Sequence, residues 1–264
     1  MDESGEPDAI SDEDPENRFR LLAKRVEADD SLMAIVSHDI NSAISSTVGL
    51  LTLLLGADSA NLTRRQRNII ETLKRSATNQ QELIENITTI SRIQRGRLKL
   101  DLSILETDKL LKDAYEKFEG MAGEKNVELA IAGGESALIN ADSDLALMAL
   151  SKIITNAIWF TPSGGKVELS TRISGSGAVL IVTDTGAGIE PERFRNIFDL
   201  SKREYTLGAR DEKGAGLGLY LARELVKLLK GNLEIESNPG KGTSVRMIYP
   251  VLERKPVDEQ IASQ

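Results

Sequence analysis

Three short stretches of the chain contain residue types that suit the binding of a nucleotide. Two of them are glycine-rich turns, Asp184–Ile189 and Lys213–Gly218, and the second turn leads directly into an amphipathic helix. The third is Asn156, near the end of an earlier helical stretch. Backbone N–H groups at the start of a helix bind anions, and glycine allows the backbone to approach phosphate groups closely. One glycine-rich turn would be weak evidence, but the two turns and Asn156 in this order indicate a nucleotide-binding site.

The only histidine of the chain, His38, is a candidate for nucleophilic chemistry. In a heptad pattern with Met33 at position a, His38 takes position f, so its ring is expected to face away from the apolar seam. Asp39 follows directly, and its carboxylate can accept a hydrogen bond from one ring nitrogen and make the other more nucleophilic. On an isolated helix this ring would be interpreted as a solvated surface side chain. A nucleotide site later in the same chain favours a chemical role instead.

Residues 18–95 are predicted to form a hairpin of two long helices. Seam residues recur at a spacing of three and four, as in a coiled coil or a helical bundle. The pattern breaks at Gly56–Asn61, after which Thr63 can cap the second helix. The seam consists of Met33, Val36, Ile40, Ala43, Thr47, Leu50 and Leu54 and, in the second helix, Ile70, Leu73, Ala77, Ile84 and Ile87. A single hairpin of this kind buries little surface, so two copies are expected to join as a dimeric four-helix bundle.

Residues 96–252 change to shorter elements, and Arg95–Arg97 marks the boundary. Alternating apolar residues predict strands, and longer periodic patterns predict helices. The predicted strands are Leu98–Leu102, Val127–Ile131, Ala137–Asn140, Lys166–Arg172, Ala178–Thr183, Asn232–Ser237 and Thr243–Tyr249. The predicted helices are Asp108–Met121, Asp142–Phe160 and Gly216–Lys230, and Glu190–Lys213 is expected to be a lid. One sheet with helices on a single face, an α+β sandwich, accommodates this order of elements.

The composition excludes several other classes of protein. The chain has no cysteine, which rules out disulfides, thiolate metal sites and thiol catalysis. The net charge of −8 is concentrated in an acidic leader, residues 1–17, and the nearly neutral remainder argues against nucleic-acid binding. No apolar run approaches the roughly 18 residues that cross a bilayer, and no signal peptide is evident. We therefore expect a cytoplasmic protein without a membrane span, with a short tail at residues 253–264.

Four of these stretches resemble the motifs of the sensor histidine kinases of two-component systems. His38–Ser42 resembles their H box, and Lys152–Pro162 resembles their asparagine box. Asp184–Ile189 and Gly214–Leu219 resemble their two glycine boxes. The resemblance extends from about residue 18 to about residue 250 with the motifs in the family's order, and the combination is highly specific.

The resemblance implies a dimerisation and phosphoacceptor hairpin followed by a catalytic ATP-binding domain of the GHKL type. His38, beside Asp39, would accept a phosphoryl group from ATP and pass it to an aspartate of a response regulator receiver domain. Asn156 would hold Mg²⁺ on the phosphates, and Asp184 would accept a hydrogen bond from the adenine amino group. Ser42 stands where family members that dephosphorylate their regulator commonly have Thr, Asn or Ser. The other residues implied to bind the nucleotide are Lys152, Gly186, Gly188, Ile189, Lys213, Gly214, Gly216, Leu217 and Gly218.

The chain also departs from the family pattern. The usual proline is absent at Ala43, so a straighter helix is expected below His38. Lys152 replaces an asparagine one turn before Asn156, and the i, i+4 spacing places both side chains on one helix face. The departures are Asn41, Ala43, Lys152, Trp159, which stands where a lysine is usual, and Ser201, which stands near a usual lid aromatic. Lid cations are retained at Lys202, Arg203, Arg210 and Lys213. Because the glycine turns are intact, we expect a working ATP binder.

Two other functions fit parts of this pattern. One is a nucleotide-binding or degenerate module without kinase activity, which uses the hairpin to dock or dephosphorylate a partner. The other is an ATPase of the chaperone or topoisomerase kind. That chemistry requires a carboxylate base at the position of Lys152, and an ammonium group cannot take a proton from water. The pattern favours a histidine autokinase, with input from a separate sensor or regulatory protein, from the acidic leader, or from a region outside this chain.

Overall fold

The computed structural model describes residues 38–56, 61–199, 206–207, 213–214 and 216–252. The chain divides into two compact units, residues 1–88 and 89–264. Within the described residues the first unit is helical, and the second combines sheets with helices. Several predictions concern residues outside the described ranges, namely 1–17, Met33, Val36, Ser201, Lys202, Arg203, Arg210 and 253–264.

The first residues that the structure describes form two helices. Helix α1 covers His38–Gly56, and helix α2 covers Arg64–Gln94. The predicted cap at Thr63 is confirmed. The Thr63 N–H donates to Gln66 Oε1 at 2.9 Å, and the Gln66 N–H donates to Thr63 Oγ1 at 3.3 Å, so the two residues form a capping box. This local exchange satisfies backbone donors that a helix start leaves without partners, and it fixes where α2 begins.

The predicted seam of these helices is largely uncovered in the single chain. Leu50 on α1 and Leu73 on α2 are 65% and 53% exposed, and Ile40, Leu54 and Ile87 are exposed as well. A contiguous stripe of large apolar side chains in water is unfavourable, so this stripe is suited to contact with another protein surface.

Helix α1 is long and apolar enough to cross a membrane, by length and composition alone. It has 19 residues, its most apolar 18-residue window has a mean hydropathy of 1.2, and none of that window is buried in the single chain. The expectation that no apolar stretch reaches this length was therefore wrong. A helix whose apolar stripe packs inside a soluble bundle has the same composition, so the hydropathy of α1 does not by itself assign it to a membrane.

All of the strands that the structure describes lie in the second unit. Its elements in chain order are β1 Leu102–Glu106, α3 Thr107–Glu124, β2 Glu128–Gly134, β3 Leu138–Asp142, α4 Ser143–Phe160, β4 Lys166–Ser174, β5 Gly177–Asp184, α5 Pro191–Asn196, β6 Thr206–Leu207, β7 Lys213–Gly214, α6 Gly218–Leu228, β8 Asn232–Ser237 and β9 Thr243–Pro250. Five strands form a sheet in the order β2–β4–β5–β9–β8. In this sheet β2 runs parallel to β4, and all other neighbours are antiparallel.

Helices α3, α4 and α6 pack against the sheet and against one another. The strands alternate between a buried and a more exposed face. On β4, Val167 and Leu169 are fully buried, whereas Glu168 between them is partly exposed. Helix α4 contributes Ile154 and Ile158, which are also fully buried. The predicted sandwich of helices and a sheet is confirmed, and its core lies between these two layers.

Two details of the predicted strands were wrong. The first strand begins at Leu102 and not at Leu98, because pairing with β3 decides its position. Leu102 lies opposite Asp142, and the Asp101 N–H donates to Asp142 Oδ2 at 2.9 Å. Strands β1 and β3 also form a separate antiparallel pair and do not join the five-stranded sheet. The unit therefore contains more than the single sheet that the alternating pattern predicted.

Candidate functional site

Asp184 lies at the end of β5, and backbone N–H groups hold its carboxylate. The Gly186 and Thr243 N–H groups both donate to Oδ1, at 2.8 and 3.1 Å. The residue is 7% exposed, and this burial raises the pKa of Asp184 above its ordinary value, while the two N–H donors act in the opposite direction. Among the described residues no donor bonds to Oδ2. That oxygen is the acceptor that remains for a ligand with an N–H group.

A third turn, Asn238–Gly242, packs directly on the first glycine turn. A Cβ at Gly188 would lie 2.0 Å from the Asn238 carbonyl oxygen, and a Cβ at Gly242 would lie 1.9 Å from the Asp184 carbonyl oxygen. Both glycines have positive φ, at 68° and 83°. A side chain at either position is therefore excluded by the backbone conformation and by the close approach of the other turn.

The Ser237 hydroxyl joins these turns. The Ile189 N–H donates to Ser237 Oγ at 2.9 Å, and that hydroxyl lies 3.0 Å from the Gly242 carbonyl oxygen and 2.9 Å from Thr243 Oγ1. The sequence predicted the strands on either side of Asn238–Gly242, Asn232–Ser237 and Thr243–Tyr249, but indicated no role for the turn between them, so this wall of the site was missed. The available signal was the Gly-x-Gly pair inside the turn itself.

The first glycine turn also contacts the end of helix α4. The Ala187 N–H donates to the Phe160 carbonyl oxygen at 3.3 Å, and a Cβ at Gly186 would lie 2.6 Å from the same oxygen. At its other end α4 begins at the N-cap Asp142, whose Oδ1 accepts from the Leu145 N–H at 3.1 Å. The helix is thus fixed at both ends, and its C-terminal end adjoins the turn.

Lys152, Asn156 and Gly218 come together where α4 faces the start of α6. A Cβ at Gly218 would lie 3.6 Å from Asn156 Nδ2, 3.7 Å from Asn156 Oδ1 and 3.9 Å from Lys152 Cβ. The predicted placement of Lys152 and Asn156 on one helix face is confirmed. Leu217, the residue before α6, is 3% exposed and anchors the start of that helix in the core. The fold therefore brings two distant stretches of the sequence to one place.

The second glycine turn begins within a short ladder. Strand β7, Lys213–Gly214, pairs with β6, Thr206–Leu207, in antiparallel orientation. Gly216 follows, two residues before the first residue of α6. The predicted residues Lys213, Gly214 and Gly216 therefore lead into the N-terminus of α6.

Phe198, an aromatic residue in the described part of the predicted lid, packs against helix α6. The guanidinium carbon of Arg223 lies 4.2 Å from the centre of the Phe198 ring and 5.2 Å from the centre of the Tyr220 ring. Cation–π contacts at these distances are attractive. They connect the described part of the predicted lid to the helix that follows the second glycine turn.

His38 and Asp39 lie in the first turn of the described part of α1. Their side chains are 81% and 73% exposed, and His38 Nδ1 lies 3.2 Å from Asp39 Oδ1. The predicted hydrogen bond is thus present. When Nδ1 carries the proton and donates it to the carboxylate, Nε2 keeps its lone pair and points away from this partner. Ser42, one turn later on α1, is also exposed.

Two family models match this chain. The model of the His Kinase A (phospho-acceptor) domain matches residues 28–96. The model of the histidine kinase-, DNA gyrase B- and HSP90-like ATPase matches residues 141–253. The chain belongs to the sensor histidine kinases. His38 and Ser42 lie in the stretch that the phospho-acceptor model matches, and Asn156, Asp184 and Gly218 lie in the stretch that the ATPase model matches.

Two bacterial sensor proteins resemble the chain over most of its length. Sensor protein EvgS of Escherichia coli (strain K12) is 29% identical over 250 residues, which are 91% of this chain and 20% of EvgS. Autoinducer 2 sensor kinase/phosphatase LuxQ of Vibrio harveyi is 29% identical over 248 residues, which are 90% of this chain and 28% of LuxQ. The chain therefore spans less than a third of the length of these two curated relatives.

A solved structure extends the likeness to three dimensions. The crystal structure of full-length ShkA in complex with AMPPNP superimposes with a TM-score of 0.64 and 25% sequence identity. The alignment covers 84% of this chain and 46% of ShkA. The predicted family and the predicted order of a helical region followed by an α/β sandwich are confirmed by these matches. The class of enzyme that they support is a protein-histidine kinase with an ATP-binding domain.

Proposed function

We propose that this chain phosphorylates its own His38 with ATP and then passes the phosphoryl group to an aspartate of a response regulator. The observation that carries the proposal is the exposed pair of His38 and Asp39. A neutral imidazole that donates one N–H to a carboxylate has a nucleophilic lone pair on its other nitrogen. Incubation with γ-labelled ATP and Mg²⁺, followed by mapping of the labelled residue, tests the proposal.

The residues of the second unit fit ATP as the substrate. Oδ2 of Asp184 can accept a hydrogen bond from the adenine amino group, because both backbone donors are bound to Oδ1. A Cβ at Gly186 would lie 2.8 Å from Asp184 Oδ1, so glycine at this position lets the backbone of the first glycine turn come close to the carboxylate. The N-terminus of α6 at Gly218 presents backbone N–H groups, which suit the phosphates.

We propose that Asn156 holds Mg²⁺ on these phosphates. Within the part of the chain that the structure describes, no three acidic or histidine side chains form a metal-binding group. Mg²⁺ in phosphoryl-transfer sites is held by one or two protein ligands together with the phosphates, so one amide oxygen is a sufficient protein contribution. When bound, the ion supplies neutralisation of phosphate charge.

The transfer step makes modest demands on the protein. Nε2 of His38 forms a bond to the γ-phosphorus, the bond from that phosphorus to the β,γ-bridging oxygen breaks, and ADP leaves with the electron pair. The carboxylate of Asp39 stabilises the positive ring by accepting the hydrogen bond from Nδ1. Phosphoryl transfer depends mainly on positioning and on charge stabilisation, so a nucleophile on one domain and a nucleotide on the other are sufficient.

The exposed stripe of the first unit supports a homodimer. Leu50 and Leu73 lie uncovered in the single chain, and a second copy would bury them in the four-helix bundle proposed for residues 18–95. The small and polar face around His38 would receive the receiver domain. We place the chain in the cytoplasm, with input from a separate sensor or regulatory protein, from the acidic leader, or from a region outside this chain. The phospho-acceptor match over residues 28–96 supports this placement.

Ser42→Ala is expected to slow dephosphorylation of the response regulator by about tenfold while His38 is still labelled at a near-normal rate. Ser42 is exposed four residues after His38, where its hydroxyl can orient a water molecule toward an aspartyl phosphate docked on this face. The measurement is the decay of phosphorylated regulator in the presence of each variant. Ser45→Ala, an exposed serine one turn further along α1, is the matched control. Equal decay with wild-type and Ser42→Ala protein would show that Ser42 is only a spacer.

Lys152→Asn is expected to weaken ATP binding about fivefold, even though it restores the residue usual in the family. Lys152 lies on the same helix face as Asn156, and its Cβ is close to Gly218 at the start of α6. From this position it can replace the cation that is missing at Trp159. Titration calorimetry of ATP binding measures the change, with exposed Lys112→Asn on α3 as the control. Equal or tighter binding by Lys152→Asn would remove this role.

A further inference from the structure

Lys125 is a buried lysine that the proposed chemistry does not use. It follows helix α3 as its C-cap residue and leads into strand β2, yet it is only 5% exposed. Lysine is almost never fully buried unless its amino group has hydrogen-bond partners. The position of this amino group is therefore determined by specific acceptors.

Those acceptors are the carbonyl groups at the end of helix α4. Nζ of Lys125 donates to the Ile158 carbonyl oxygen at 2.9 Å and to the Trp159 carbonyl oxygen. The last four carbonyl groups of an α-helix lack partners within the helix, and both of these belong to that group. The positive charge of a lysine at this end also interacts favourably with the negative pole of the helix dipole.

The other two carbonyl groups at this end of α4 are bonded as well. The Ala157 carbonyl oxygen accepts from Thr161, through its N–H at 3.1 Å and its Oγ1 at 2.7 Å. The Phe160 carbonyl oxygen accepts from the Ala187 N–H of the first glycine turn. The last turn of α4 is thus held between Lys125 on one side and the glycine turn on the other.

This turn bears directly on the nucleotide site. Asn156 precedes Ile158 by two residues, so the orientation of its side chain follows the geometry of the last turn. Ala187 lies three residues after Asp184, and its N–H is bonded to the same turn. A displacement of the helix end would therefore move both the proposed metal-binding amide and the turn that follows the proposed adenine acceptor.

We propose that Lys125 is a positioning residue for the nucleotide. It acts through the last turn of α4 and makes no contact with ATP. The inference rests on the proposed function and extends it to a residue in a different part of the sequence. Lys125 lies 33 residues before Ile158, outside every motif that indicated a nucleotide site.

The test uses the full chain and the variant Lys125→Met, which keeps the length of the side chain and removes its donors. ATP binding is measured by calorimetry at a temperature where wild-type and variant proteins are both folded. Trp159 is the only tryptophan, and its own carbonyl accepts from Lys125, so its fluorescence reports the last turn of α4. Lys112→Met, an exposed lysine of α3, is the matched control.

We expect Lys125→Met to bind ATP about tenfold more weakly and to show an altered Trp159 emission, with neither change in the control. Unchanged ATP affinity in the folded variant, with only a lower melting temperature, would overturn the proposal, because a purely structural lysine acts in that way. If Lys125→Met does not fold, Lys125→Gln, which removes the charge and shortens the side chain, is measured in its place. An altered Trp159 emission with an unchanged ATP affinity in that variant would overturn the proposal, because the last turn of α4 would then have changed without an effect on ATP. Failure of the wild-type chain to bind ATP would instead contradict the proposed function itself.

Discussion

His38→Ala is expected to abolish the incorporation of phosphate from γ-labelled ATP, while the affinity for ATP should stay within about twofold of the wild-type value. His38 is the only histidine of the chain, so no neighbouring imidazole can accept the phosphoryl group in its place. Its side chain is exposed and is not part of a buried core, so the substitution leaves the fold intact. The measurement is the label retained on the purified chain after incubation with ATP and Mg²⁺.

Two controls make this result specific. ATP binding by the variant, measured by calorimetry, shows that the second unit is still competent. The stability of the label in acid separates phosphohistidine, which is acid-labile, from phosphoserine or phosphothreonine, which are stable. Label that survives the substitution, or label that withstands acid in the wild-type chain, would assign the phosphoacceptor to another residue.

Asp184→Asn is expected to weaken ATP binding by about ten- to a hundredfold, which corresponds to roughly 1.5–3 kcal/mol. The Gly186 and Thr243 N–H groups would hold the asparagine carbonyl oxygen as they now hold Oδ1. The asparagine NH₂ group would then occupy the position of Oδ2 and face the adenine amino group. Two donors that face each other cannot form a hydrogen bond, so the loss is larger than that of a charge alone.

The same geometry predicts a change in base preference and in pH dependence. Guanine has an acceptor where adenine has its amino group, so the ratio of ATP to GTP affinity should fall in Asp184→Asn. In the wild-type chain, ATP affinity should decrease as pH falls from 7 toward the raised pKa of Asp184, because protonation removes the acceptor. Asp184→Asn should lack this pH dependence, because the asparagine amide does not titrate in this range. An ATP affinity that does not change on substitution would show that the base binds elsewhere.

The stability of the wild-type chain should change with pH in the opposite direction to its ATP affinity. Because burial raises the pKa of Asp184 in the folded chain, the folded state binds the proton more tightly than the unfolded state does. The free energy of unfolding therefore falls as pH rises from the ordinary carboxyl pKa of 3.8 through the raised value. Asparagine keeps the two backbone hydrogen bonds and has no charge to bury. Asp184→Asn should thus be no less stable than wild type at pH 7, which a comparison of urea unfolding curves measures.

Local chemistry in the sequence determined the helices and the positions of the main motifs. The capping box of Thr63 and Gln66 and the N-cap Asp142 act within three residues, so the starts of α2 and α4 could be predicted. The pair of His38 and Asp39 is also local, and the i, i+4 spacing placed Lys152 beside Asn156. The roles of these residues toward ATP stay predictions, and so do the domain boundaries.

Only the tertiary structure decided the features that depend on partners far along the chain. Strand β1 begins at Leu102 because β3, some forty residues later, ends at Asp142, and an alternating pattern carries no information about its pairing partner. The turn Asn238–Gly242 became part of the site because Gly242 allows its backbone to contact Asp184. Lys125 caps the end of α4 because its amino group donates to two carbonyl groups that lie 33 and 34 residues later in the sequence. Sequence periodicity reports what a residue does for its own element, whereas burial and long-range hydrogen bonds exist only after the elements have packed.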